Sequence, residues 1–122
     1  MDNIENQVTT SDVDELERLY LKAKKSLREI EWVGFYPRYP EPISSFMKYI
    51  TSSPWCNPNY KPEETKKLID EIETADLISL RSILTAASRG ERFCDGHWKS
   101  VIESERIESV IKRAREIIIV NK

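Results

Sequence analysis

Apolar residues recur at steps of three and four along most of the chain, which places them on one face of an α-helix. The first such pattern comprises Val13, Leu16, Tyr20, Ala23, Leu27 and Ile30, and the last comprises Ile107, Val110, Ile111, Ala114, Ile117 and Ile118. Shorter patterns at residues 43–50, 68–72, 77–87 and 98–102 predict further helices. We find no stretch with the two-residue period of a strand. The pattern therefore predicts an all-α, single compact domain of five to six helices.

Two loops rich in proline or glycine connect these helices. Proline fixes its own backbone and disfavours helix in the residue before it. The loops are punctuated by Gly34, Pro37, Pro40 and Pro42, and by Pro54, Pro58 and Pro62. We expect Phe35, Tyr36 and Tyr39 to lie along the core as the first loop crosses it.

The helix boundaries follow from capping residues. Ser11 or Asp12 is predicted to cap the first helix, Gly90 to end the fourth, and Asp95 to cap the short helix that follows. Residues 1–10 are polar and terminal, which predicts a disordered tail. Residues 11–122 then form the domain, whose most distinctive half is 75–120.

Composition narrows the classes of function. The net charge of −2 is unlike that of a dedicated nucleic-acid binder, so that partner is disfavoured. The basic run Lys112, Arg113 and Arg115 could contact phosphates, but as a solvated helix face it needs no partner. Two cysteines, no signal peptide and no membrane-spanning run predict a cytoplasmic protein with no membrane partner.

The segment 85–98 concentrates the unusual chemistry of the chain, including two of three glycines and the single histidine. Arg81 and Arg89 lie on one side of their helix, and Arg92 follows just past its end. Converging guanidinium groups can grip a carboxylate or phosphate. Alternatively, these arginines pair with Glu91, with Asp95 or with water.

Catalysis and metal binding find less support in the same segment. Cys94 and His97 have the spacing of two zinc ligands, but a structural site needs four. Their proximity in sequence is equally weak evidence for a nucleophile and its base. Glu91 and Asp95 flanked by arginines would stay ionised rather than act as an acid–base pair. We therefore predict no metal, no cofactor and no catalytic residue, and favour a protein that is not an enzyme.

Aromatic residues lie in or beside the second loop and the 85–98 segment. Trp55, Tyr60, Phe93 and Trp98 can wall a ligand cleft or simply fill the core. The ligand-binding candidates are therefore Arg81, Arg89, Arg92, Glu91, Asp95, His97, Trp98, Trp55 and Tyr60.

The residues Arg89-Gly90-Glu91-Arg92-Phe93-Cys94-Asp95-Gly96, with the preceding segment 80–85 and the final helix, resemble a signature in a family of short bacterial and archaeal proteins of unknown function. The resemblance covers the second half of the chain. It supports the integrity of the domain, and because that family has no assigned activity it implies no functional residue.

Three functions remain open from the sequence. The first is an interaction or ligand-binding module that uses the turn at residues 88–98 to bind a protein or a small anion. The second is an enzyme or sensor for a nucleotide-like or phosphorylated small molecule. The third is nucleic-acid binding through the basic last helix.

Overall fold

The computed structural model describes residues 8–52, 54–92 and 95–120, without the side chains of Arg92 and Val120. Within these residues the chain forms six α-helices and one short β-hairpin. The helices are α1 (Thr10–Lys25), α2 (Glu41–Ile50), α3 (Pro62–Ile69), α4 (Leu77–Arg89), α5 (His97–Glu103) and α6 (Arg106–Val120), and the strands are β1 (Glu31–Val33) and β2 (Tyr36–Arg38). Single 3₁₀ turns occupy Leu27–Glu29, Ile72–Thr74 and Gly90–Arg92. The expectation of a small, mainly helical domain is confirmed.

The first helix begins earlier than its sequence suggests. Thr9 is the N-cap, and its hydroxyl accepts a hydrogen bond from the Asp12 amide while the Asp12 carboxylate accepts one from the Thr9 amide. This reciprocal capping box satisfies two amides that the helix leaves without partners. Ser11 and Asp12 therefore lie inside the helix, and Val8 is already buried. The part of the predicted tail at residues 1–7 lies outside the described residues.

The core lies between α1, α2, α4 and α6, with α5 closing one end. Their apolar stripes supply side chains with no solvent exposure, among them Leu16, Phe46, Leu80, Ile107 and Ala114. Burying each large side chain of this kind contributes roughly 1.5–3 kcal/mol relative to leaving it in water. The helix α3 packs on α4 and leaves a hollow beside it.

The hairpin corrects the prediction of a chain without strands. β1 and β2 pair antiparallel, with Glu31 opposite Arg38, and Gly34 turns the chain at a φ of 65°. Phe35 is 88% exposed and Tyr36 is 69% exposed, so the expectation that they lie along the core is wrong. Strands of three residues are too short to show a two-residue period. Tyr39, just after β2, does pack against the core as expected.

No helix in the described part of the chain is both long and apolar enough to cross a membrane.

Candidate functional site

The corner between α4 and α5 is built on a close contact between Gly90 and His97. Gly90 keeps a right-handed backbone, with a φ of −61° and a ψ of −25°, so α4 ends in a 3₁₀ turn and not in a left-handed cap. A Cβ added to Gly90 would lie 2.3 Å from both Cδ2 and Nε2 of the His97 ring. Glycine is needed here because the imidazole occupies the space of a side chain.

Glu91 caps α5 from the preceding turn, the role that the sequence assigned to Asp95. The N-cap is Gly96, which has a φ of 89° and no side chain. The two carboxylate oxygens of Glu91 accept hydrogen bonds from the amides of Gly96 and Trp98, each at 2.9 Å. Negative charge is favourable at this end of a helix. Asp95 is exposed instead.

Tyr39 completes this arrangement from the far end of the hairpin. Its hydroxyl donates a 2.9 Å hydrogen bond to Glu91. Burial and this bond to a carboxylate both raise the pKa of Tyr39. The Tyr39 ring also lies 4.9 Å from the Trp98 ring, and the Trp98 indole N–H donates to the Ser88 carbonyl at 2.6 Å. Glu91 and Trp98 are therefore engaged inside the protein, although both line a hollow of about 450 Å³.

Two of the candidate residues lie inside the domain. Arg81 is 5% exposed and Trp55 is fully buried, with its indole N–H donating to the Tyr49 hydroxyl at 3.2 Å. Neither presents surface to a ligand, so we remove both from the candidate site.

The second loop is hydrogen-bonded to one side of α4, at Ser82 and Thr85. The Asn57 amide donates to the Thr85 hydroxyl at 2.9 Å, and the Asn57 side chain donates to the Ser82 hydroxyl at 2.8 Å. These bonds dock the loop over the part of α4 that carries Arg81. Arg89, one turn beyond Thr85, is partly exposed. Its guanidinium carbon Cζ lies 5.3 Å from the centre of the Tyr60 ring.

Three predicted features fall on parts of the chain that are not described. The side chain of Arg92, together with Phe93 and Cys94, lies outside the described residues. The spacing of Cys94 and His97, which from the sequence is weak support for a metal site or for catalysis, therefore stays untested.

A pocket of about 330 Å³ opens between α3, the end of α4 and the beginnings of α5 and α6. Its walls are mostly apolar. The residues that line it are Tyr60, Pro62, Thr65, Lys66, Ile69, Ala86, Gly90, His97 and Arg106. Of the candidates from the sequence, Tyr60 and His97 line this pocket, and Arg89 lies against the Tyr60 ring outside it.

Arg106 is the polar residue of this pocket that sequence reasoning missed. It is partly buried, and none of the described residues accepts a hydrogen bond from its guanidinium or pairs with it. Burial lowers the pKa of Arg106. Arginine side chains nevertheless keep their positive charge in proteins. A signal was available in the sequence, because an arginine in the first turn of a helix stands where the helix dipole disfavours a cation.

Arg106 and His97 interact electrostatically. Burial and the positive charge of Arg106 lower the pKa of His97, and the opposing effect of Glu91 is smaller. Its Nε2 atom is buried and makes no hydrogen bond to the described residues. The pocket therefore combines a permanent cation with a histidine that is neutral at pH 7.

Residues 15–120 match the Family of unknown function (DUF6508), a span that includes every residue lining the pocket. The chain belongs to this family. No curated protein and no solved structure matches the chain. The match agrees with the predicted family of unknown function, while its bacterial and archaeal distribution and its signature stay predictions.

The basic run of α6 is largely engaged within the protein. Arg113 donates to the Ala75 carbonyl at 2.8 Å, and Arg115 donates to Asp14 and Glu17 at 2.9 Å each. These contacts fasten α6 to α1 and to the chain before α4. Among the described residues, no group of three or more His, Cys, Asp or Glu side chains is placed to hold a metal ion.

Proposed function

We propose that this protein is a binding module for a small anion with an apolar body, which occupies the pocket between α3, α4, α5 and α6. The observation that carries the proposal is Arg106, a partly buried guanidinium without a carboxylate partner among the described residues, in the wall of an apolar hollow. Buried charges are normally paired, because removing them from water is costly. A bound anion would supply the missing partner.

The walls of the pocket support an apolar body for this ligand. Pro62, Ile69 and Ala86 offer carbon surface, and Tyr60 adds an aromatic ring. Ligand sites typically combine such walls with a few polar groups, in volumes of roughly 300–1,000 Å³. At about 330 Å³ this pocket suits a single ring or a short chain.

The other candidate functions have less support in the arrangement of the side chains. The proposed site lies beside the turn at residues 88–98, whose Glu91 and Trp98 are occupied with internal hydrogen bonds. For nucleic-acid binding, Arg113 and Arg115 would first have to leave their present partners. We assign no catalytic residue.

The proposal can be tested with three anions that share a phenyl ring: benzoate, benzenesulfonate and phenyl phosphate. We expect at least one of them to raise the melting temperature of the protein at low salt. Arg106→Met should abolish that increase, because it removes the cation while keeping a long apolar side chain.

Arg28→Met is the matched control, since it removes an equal charge from an exposed position outside the pocket. It should respond to the anions as the unchanged protein does. The proposal fails if none of the three anions stabilises the protein, or if the stabilisation survives Arg106→Met.

A further inference from the structure

Resting on the proposed function, we infer that the anion bound in this pocket is a carboxylate, gripped side-on by Arg106, and not a phosphate ester or a sulfonate. The geometry of the cation is the first reason. A guanidinium presents parallel N–H donors in a planar fork that can hold two oxygens of a carboxylate or of a phosphate. The fork engages both oxygens of a carboxylate, whereas a phosphate or sulfonate keeps a third oxygen that needs a further donor.

The second reason is the supply of other donors. A phosphate group has three acceptor oxygens and is commonly bound by backbone amides at the start of a helix. The start of α5, beside His97, is already filled by Glu91, whose oxygens accept from the Gly96 and Trp98 amides. This end of α5 is therefore closed to a phosphate unless Glu91 is displaced. At the start of α6, which also borders the pocket, the Arg106 amide already donates to the Ser104 hydroxyl at 3.2 Å.

The third reason is the balance of charge around the pocket. Arg106 contributes one positive charge in the pocket wall, and Arg89 lies outside the wall, against the Tyr60 ring. The negative charge of Glu91 is close enough to act on His97. Lys66 lines the pocket, but it is exposed and therefore screened by water. Repulsion from Glu91 costs a dianion such as a phosphate monoester more than it costs a monoanion.

Isothermal titration at pH 7.5 and low salt with benzoate, benzenesulfonate, phenyl phosphate and neutral benzamide tests this inference. We expect benzoate to bind at least about tenfold more tightly than each of the other three, because both of its oxygens are bonded by the fork. Phosphate and sulfonate keep a third oxygen without a donor, and benzamide has no charge. Arg106→Lys keeps the charge but loses the fork, so it should weaken benzoate binding about tenfold. Arg28→Lys, the matched control, should leave benzoate binding unchanged.

The possible failures separate the two claims. If phenyl phosphate or benzenesulfonate binds as tightly as benzoate and requires Arg106, the inference is wrong while the proposed function stands. If benzoate binds most tightly but Arg106→Lys binds it equally well, the side-on grip is wrong. If none of the anions binds, or if binding survives Arg106→Met, both the inference and the proposed function are overturned.

Discussion

The carboxylate of Glu91 is engaged in hydrogen bonds inside the protein. It accepts hydrogen bonds from two backbone amides and from the Tyr39 hydroxyl, all at 2.9 Å. From the sequence, Glu91 was a ligand-binding candidate as part of the turn at residues 88–98. The structure instead makes it the group that joins the hairpin side of the protein to the start of α5.

Replacing Glu91 with alanine is expected to lower the free energy of unfolding by roughly 2–4 kcal/mol, since three donors lose a charged acceptor. Urea denaturation followed by far-ultraviolet circular dichroism measures the change. Glu105→Ala removes an equal charge from an exposed position and should cost less than about 0.5 kcal/mol. Equal losses for the two variants would show that the Glu91 hydrogen bonds contribute nothing to stability.

At the scale of elements, the packing of α5 against the end of α4 requires glycine at position 90. The His97 ring lies where the Cβ of any other residue at position 90 would be. Because His97 also lines the pocket, this contact fixes one wall of the proposed site.

Gly90→Ala separates this contact from helix propensity. The backbone of Gly90 is right-handed, so propensity alone predicts that alanine would stabilise the protein by up to about 1 kcal/mol. We expect the opposite, a loss of about 1–3 kcal/mol in the free energy of unfolding, because the new methyl group overlaps the imidazole. Thermal and urea unfolding measure it.

A second substitution provides the control for this prediction. In the background of His97→Ala, the same Gly90→Ala change should be neutral or stabilising, because the overlapping ring is gone. If Gly90→Ala stabilises the protein even when His97 is present, the imidazole moves away easily and the contact does not fix the wall.

The sequence predicts elements well where a pattern is long, and poorly where tertiary contacts decide. The periodic stripes of α1 and α6 predict both helices. The three-residue strands of the hairpin are too short to show a comparable period. Phe35 is exposed because it lies in the turn of this hairpin, next to Gly34, and the prolines nearby suggested a loop without strands.

The candidate site was harder to predict, since its parts are distant in sequence. Tyr60 and His97 were candidates because they lie near loops, and they do line one pocket. Asn57 docks the second loop onto Ser82 and Thr85 of α4, a contact between distant parts of the chain that no local pattern indicates. Arg106 was passed over although its place in the first turn of α6 was a signal in the sequence. That none of the described residues pairs with it is visible only in three dimensions.

For the whole molecule, we expect His97, the single histidine of the chain, to make stability depend on pH near neutrality. Among the described residues, Arg106 on α6 and Glu91 beside α5 act electrostatically on this histidine, and the exposed Lys66 on α3 lines the same pocket. Burial and Arg106 hold the pKa of His97 below its ordinary value of 6.5 in the folded protein. The unfolded chain therefore takes up this proton more readily than the folded protein does.

The free energy of unfolding should consequently fall as the pH drops below about 6.5, and the loss should continue down to the folded pKa. His97→Gln, which cannot titrate, should flatten this part of the profile. Melting temperatures measured between pH 7.5 and pH 5.0 test the prediction before most carboxylates begin to protonate. Parallel profiles for the two proteins would show that His97 does not contribute.

Arg106, whose charge is paired by none of the described residues, would link the stability of the folded protein to its ligand. With the proposed ligand at about one hundred times its dissociation constant, the folded state gains roughly 2.7 kcal/mol. Proteases act mainly on opened chains, so the number of surviving copies would rise and fall with the supply of the bound metabolite. The abundance of the protein would thus report on the supply of its ligand.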